Sequence, residues 1–215
     1  MPAGAKKVVA PDKGRKAAYV MRNREALLRS TQEVLAVKGQ AVTIEDIADH
    51  AQVAVSTIYK HFPDKGALIS ATMWWGFAEW MKKVQSLGDH LTDPLEKLVF
   101  PMRLFVRVKS THPDHARNVV NFLEITTQFL PVLESDLSEH IQELTKAKLL
   151  TCDDPDVAAR NIQAVLLATA VSQVTNQKAK VEDADASIRV ALRMVGISEV
   201  KARKLTESKI PDFKN

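Results

Sequence analysis

The sequence predicts an all-α protein in which a short three-helix unit at the front is followed by a larger helical domain. Three observations carry this expectation. Gly occurs only 7 times in 215 residues, while Ala, Leu, Lys, Glu and Val recur throughout, which favours helices over Gly-punctuated β designs. Apolar residues recur at helical spacing, and the sequence holds no alternating strand pattern of useful length and no repeat. Cap residues and prolines stand where such runs begin, as at Thr43, Asp64, Thr92-Asp93-Pro94, Pro113-Asp114 and Asp153-Asp154-Pro155. Hydrophobic residues at 46% and charged residues at 26% match an ordinary globular chain, long enough to bury a core.

The charge is uneven along the chain. Residues 1–65 hold 11 Lys or Arg against 7 Asp or Glu, net +4, and residues 1–24 alone hold 7 against 1, net +6. Residues 1–21 therefore read as a flexible basic arm, either a solvated tail or a polyanion-binding one, with Arg22 at its end a candidate DNA contact. From Arg22 the pattern turns helical. Leu27, Leu28, Thr31, Val34 and Leu35 form one face, and Gly39 is placed to end the helix, so the first helix is expected over about 22–38. Thr43 can cap a second helix over about 43–50, with Asp46 three residues on and Ile44, Ile47 and Ala48 as its apolar face. A third short helix runs to Phe62, where Pro63 stops it.

Two short helices joined by a tight turn and preceded by a longer helix have the spacing of a helix-turn-helix. Ile44, Ile47, Ala48, Val53, Ile58 and Phe62 would hold the unit together, leaving Val55, Ser56, Thr57, Tyr59, Lys60 and His61 more exposed. Small and hydroxyl-bearing side chains suit a major groove, where methyls meet thymine and hydroxyls meet base edges or phosphates. The basic arm upstream is a second, independent pointer to nucleic acid.

The stretch Thr43-Ile-Glu-Asp-Ile-Ala-Asp-His-Ala-Gln-Val-Ala-Val-Ser-Thr-Ile-Tyr-Lys-His-Phe-Pro-Asp-Lys-Gly-Ala-Leu68 closely resembles the DNA-binding signature of TetR/AcrR-type transcriptional repressors, over about residues 22–70. The resemblance implies that Thr43 contacts phosphate, that Val55, Ser56 and Thr57 approach bases or backbone, that Tyr59 and His61 lie against the backbone, and that Lys65 binds phosphate. Two positions depart from the family pattern. Gln52 stands where Gly makes the tight turn, and Ala54 stands where Ser caps the recognition helix. A left-handed Gln and a lost cap each cost of order 1 kcal/mol, too little to upset the fold but enough to leave open whether Val55 or Ser56 faces the bases.

Behind this unit a long helix is expected over about 65–87, apolar around much of its circumference and so packed on more than one side. Further helices are expected over about 94–110, 114–129, 132–150, 155–177 and 182–196, with a short one near 198–208; Pro101 should kink or split the first of these. Domains are drawn at 1–21 for the arm, 22–68 for the helix-turn-helix unit and 69–215 for the remainder. The aromatic residues of this remainder suit an apolar ligand pocket or an ordinary core alike; Trp80, Phe105, Phe122, Glu124 and Phe129 are the candidate effector-pocket residues. By the family resemblance, the helices at about 155–177 and 182–196 pack against their twins as a four-helix dimer interface.

Enzymatic readings find no residues to rest on. The chain has no phosphate-cradling Gly loop, nucleophile elbow or paired-His zinc motif. His112 and His115 flank Asp114 without a closed metal-site spacing, and Asp153 and Asp154 next to the single Cys152 disfavour its thiolate. No metal or cofactor is expected. The longest apolar run, Ala164 to Val171, is too short to span a bilayer, and no secretory signal opens the chain, so a cytoplasmic location is expected. The resemblance therefore implies a homodimeric repressor that binds double-stranded operator DNA and is released by a small-molecule or protein effector. A helical interaction module, or an activator using the same helix-turn-helix, is the alternative.

Overall fold

A computed structural model describes residues 13–208 and 210, with side chains from residue 23 onward. Every element among the described residues is helical. The first helix, α1, spans Lys13–Lys38 and starts well upstream of the expected Arg22, so the stretch from Lys13 to Met21 is helical backbone and not an extended arm. The side chain of Arg22 and the arm's first twelve residues lie outside the described residues. A 3-10 turn over Gly39–Ala41 leads to α2, Ile44–Ala51, and α3, Val55–His61. Helix α4, Lys65–Gly88, begins with the Asp64 carboxylate accepting from the Ala67 amide at 2.8 Å, an N-cap that ties up one of the four orphan amides of the first turn.

Leu27, Leu28, Leu35, Ile47, Ile58 and Leu68 are buried together between these four helices. This front core also takes in Phe122 and Phe129 from farther along the chain, so it is continuous with the rear domain. The two aromatics reach it through a break. The helix expected over 114–129 is divided into α7, Pro113–Asn121, and α8, Leu123–Thr127, by Phe122 at φ −122°, ψ 46°. The freed carbonyls find other donors: Gln40 Nε2 gives to Asn121 O at 3.1 Å, and Thr126 Oγ1 gives to Val119 O at 3.1 Å.

The helix expected over 94–110 is also divided, but not at Pro101. Helix α5, Pro94–Val106, runs through that proline, and the break comes at Arg107, before α6, Val108–Thr111. Pro101 removes only the bond to the Lys97 carbonyl, and Lys97 is exposed, where water can replace it. Helices α9, Leu130–Lys146, α10, Pro155–Thr175, α11, Val181–Arg193, and α12, Glu199–Glu207, complete the chain. Ile141, Ile162, Ile188 and Leu192 lie at the centre of the rear core, packed with Leu95 and Leu98 from α5.

A largely buried polar cluster fastens α5 to Asp185 and to Ser208. Arg107 is hydrogen-bonded to Asp185, Arg103 Nε lies 3.8 Å from the same carboxyl, and Arg103 Nη1 gives to the carbonyl and hydroxyl of Ser208 at 2.8 Å each. Burial and the neighbouring Arg107 charge pull the Arg103 guanidinium below its ordinary pKa, against the pull of Asp185. The buried Arg103 and the half-buried Arg107 share one carboxylate, a high-stakes arrangement when any partner is removed.

Candidate nucleic-acid interface and effector cavity

The local chemistry of α2 sets where α3 sits. Thr43 Oγ1 accepts from the Asp46 amide at 3.1 Å and the Asp46 carboxylate accepts from the Thr43 amide at 3.0 Å, a closed capping box. Lys38 Nζ adds a 2.5 Å bond to the same carboxylate. The Lys38 and Thr43 donors hold the Asp46 pKa down at about 2, since each favours the charged form. At the other end, Gln52 ends α2 in the left-handed region at φ 54°, ψ 43°, with the glycine-like geometry its position in the turn demands. Ala54 opens α3 without a side-chain cap.

On α3 itself, Ile58 and the following Phe62 point into the front core, and this fixes the outward face. Ser56, Tyr59 and Lys60, at i, i+3 and i+4, are exposed, with Tyr59 at 52%. Val55 is half-buried against the core, while Thr57 and His61 are half-buried on the flanks. Of the two residues left open by the missing cap, Ser56 is therefore the outward one.

Thr43 is exposed at the start of α2, its hydroxyl committed to the capping box. Lys65 is exposed at the start of α4, and its Nζ gives to the Val42 carbonyl at 3.0 Å. That bond clamps the entry to α2 against the entry to α4 and leaves two of the three ammonium donors for an anion. Arg24, not singled out from the sequence, stacks its guanidinium 5.2 Å over the Phe62 ring and pins α1 to the end of α3. Its place in the basic stretch 1–24 was the only signal available.

The expected effector residues part company in the structure. Trp80 and Phe105, edge to face at 6.0 Å between ring centres, line an apolar cavity of about 210 Å³ between α4, α5, α9 and α10. Phe122 and Phe129 instead face the front core, Phe129 stacking on Phe77 at 4.9 Å, and Glu124 is exposed on α8; none of the three lines the cavity. Met102, Leu133, Leu137 and Leu166 supply much of its wall. Leu133, Leu137 and Leu166 were not singled out from the sequence, because apolar residues on separate helices, here α9 and α10, look like core until the helices are assembled. The polar groups are few: Asp136, His140 and Gln163, whose Nε2 gives to the Leu130 carbonyl at 3.2 Å. Burial is the main cause that lowers the His140 pKa, so at neutral pH the imidazole there is uncharged.

Among the described residues no group of three His, Cys, Asp or Glu could hold a metal ion, and no helix is long and apolar enough to cross a membrane. Burial raises the Cys152 pKa, with Asp153 and Asp154 adding to it.

Residues 27–72 match the family model for bacterial regulatory proteins of the tetR family. Over 77 residues the chain is 34% identical to the HTH-type transcriptional repressor KstR2 of Mycolicibacterium smegmatis, a stretch covering 35% of this chain and 37% of that repressor. The match thus spans little more than a third of that relative. The crystal structure of RolR in complex with resorcinol is similar with a TM-score of 0.72 at 20% identity, covering 92% of this chain and 100% of that one. A TetR transcription regulator from Haloarcula marismortui follows with a TM-score of 0.69 at 16% identity, covering 81% and 97%. At such identities the likeness speaks for the fold.

Proposed function

We propose that this chain, which carries the N-terminal domain of the tetR family of regulatory proteins over residues 27–72, is a dimeric transcriptional repressor that leaves its operator when an apolar effector enters the cavity beneath Trp80. The observation that carries the reading is the outward face of α3. Ser56, Tyr59 and Lys60 stand exposed on a helix whose opposite side is anchored by Ile58 and Phe62, with Thr43 and Lys65 as phosphate contacts. Two such helices about one turn of DNA apart would enter successive major grooves of a pseudo-palindrome.

The second copy is supplied by α10 and α11. Val157, Ala164 and Ala168 on α10, and Val190 on α11 with Met194 just after its end, are exposed apolar residues on helices whose other faces fill the rear core, and small residues allow close helix approach. The similarity in fold to a regulator crystallised with resorcinol supports a compact, largely apolar ligand for the cavity walled by Trp80, Phe105 and Leu166. An effector that prefers a different spacing of the two α3 helices weakens operator binding by its differential affinity, typically about 1–3 kcal/mol.

Selection of bound fragments from random duplex DNA tests the reading. The selected sequences are expected to share two half-sites, and Tyr59→Ala and Ser56→Ala are expected to weaken binding to them while leaving the helical circular-dichroism signal unchanged. Selected fragments without a shared sequence, or binding untouched by both substitutions, would contradict it.

A further inference from the structure

The polar rim of the apolar cavity carries charge of one sign. Asp136 and His140 stand four residues apart on α9, on one face of that helix, and both line the cavity. Asp136 is exposed and His140 half-buried, so the rim reaches solvent at the carboxylate. Neither side chain has a hydrogen bond or ion pair to another described residue, whereas Gln163 is already bonded to the Leu130 carbonyl. Among the described residues no Lys or Arg lines the cavity.

The surroundings share that sign. Helix α9 holds Glu134, Asp136, Glu139 and Glu143 against Lys146. Arg160 is taken up by Glu134 at 3.0 Å, and Lys97 acts on His140 less strongly than Glu143 does, with the opposite sign. An anionic ligand would bring a second negative charge to a rim whose lining offers no cation to meet it. A cationic one meets a carboxylate with no other partner. The size is that of one ring: the cavity holds about 210 Å³, and an apolar cavity of roughly 150 Å³ holds one benzene, so a single ring fits with space for a short side arm. Met102, Phe105, Leu137 and Leu166 give that ring an apolar seat.

We propose that the effector is a single-ring primary amine, its ring in the apolar cavity and its ammonium group at the rim, donating to the Asp136 carboxylate and to a ring nitrogen of His140. The assignment rests on the reading of this cavity as the effector site and adds to it the charge of the ligand. An ammonium has three donors and no acceptor, which suits a carboxylate beside an uncharged imidazole. At an exposed rim its third donor keeps water, so little of the charge's hydration is given up.

Calorimetric titration of the full-length protein at neutral pH with benzylamine, benzyl alcohol and benzoate tests the assignment, because the three are close in size and differ in charge. Benzylamine is expected to bind saturably, benzyl alcohol to compete with it at roughly fivefold lower affinity, as an ion pair open to solvent allows, and benzoate to bind more weakly than either. Asp136→Asn keeps the shape of the side chain at an exposed position. It should bring benzylamine down to the level of benzyl alcohol and leave the alcohol unchanged. If none of the three binds, the reading of the cavity as the effector site falls, and this inference with it. The cavity reading stands and the amine assignment is overturned by any of four results: benzyl alcohol binding as tightly as benzylamine, benzyl alcohol failing to displace benzylamine, an advantage of the amine that survives Asp136→Asn, or benzoate binding as tightly as the amine.

Discussion

In the front unit the surface offered to a partner and the core that supports it come from seven consecutive residues, Val55–His61, with the next residue, Phe62, as a second anchor. The apolar cavity behind it draws on four helices, from Trp80 in α4 to Leu166 in α10. A contiguous site carries its geometry in local spacing, because i, i+3 and i+4 positions on one helix share a face. A site assembled across the chain depends on helix packing that no local pattern encodes.

The largest effect expected on this contrast falls in the rear domain. Asp185→Ala leaves the buried Arg103 and the half-buried Arg107 without their carboxylate; breaking a fully buried ion pair costs about 3–5 kcal/mol, and thermal unfolding should show a large fall in Tm. In the front unit, Ile47→Ala empties a site with 0% exposure and is expected to cost about 2–5 kcal/mol. If the two cores are joined through Phe122 and Phe129, calorimetry should show one shifted transition; a separate early transition would break the comparison by making the front unit independent.

Smaller changes act on the two departures around α3. Gln52→Gly relieves a left-handed non-glycine residue and is expected to stabilise the protein by about 0.5–1 kcal/mol. Ala54→Ser restores a side-chain acceptor at the start of α3 and should add about 1 kcal/mol. Chemical denaturation midpoints check both. Neither substitution should weaken operator binding, because neither removes a residue of the outward face.

The smallest expected effect is a pH response at α2. The Asp46 pKa lies below its ordinary value, at about 2, so its bonds to Lys38 and Thr43 support the helix above about pH 4 and are lost as the pH falls toward 2. Replacing Asp46 with Asn should flatten that part of an acid-unfolding curve; an unchanged curve would mean the capping box is not formed in solution.

How much could be read in advance follows the same division. The bounds of α2 and α4 and the end of α3 were readable to within a residue because Thr43, Gln52, Pro63 and Asp64 punctuate them, and Gln52 was read as left-handed from its place in the turn; the start of α3 was left open. The breaks at Arg107 and Phe122 were not. Both residues at the breaks have tertiary partners far along the chain, Asp185 for Arg107 and the front core for Phe122, whereas Pro101, the obvious local breaker, lies inside a continuous helix with the exposed Lys97 four residues before it. The start of α1 at Lys13 was hidden because Gly14 and a dense cluster of positive charge resemble a flexible arm. Trp80 and Phe105 were found for the cavity but Phe122 and Phe129 were assigned to it as well, since an aromatic at helical spacing reads the same whichever core it faces.

The central claim is that the outward face of α3 meets a charged duplex. Its most direct test is the salt dependence of binding to a selected operator, compared between the unaltered protein and Lys60→Gln. Affinity is expected to fall steeply between about 50 and 200 mM salt, and the logarithmic slope should shrink by about 1 in the variant as one phosphate contact is lost. A slope that is flat, or identical in both proteins, would contradict the claim.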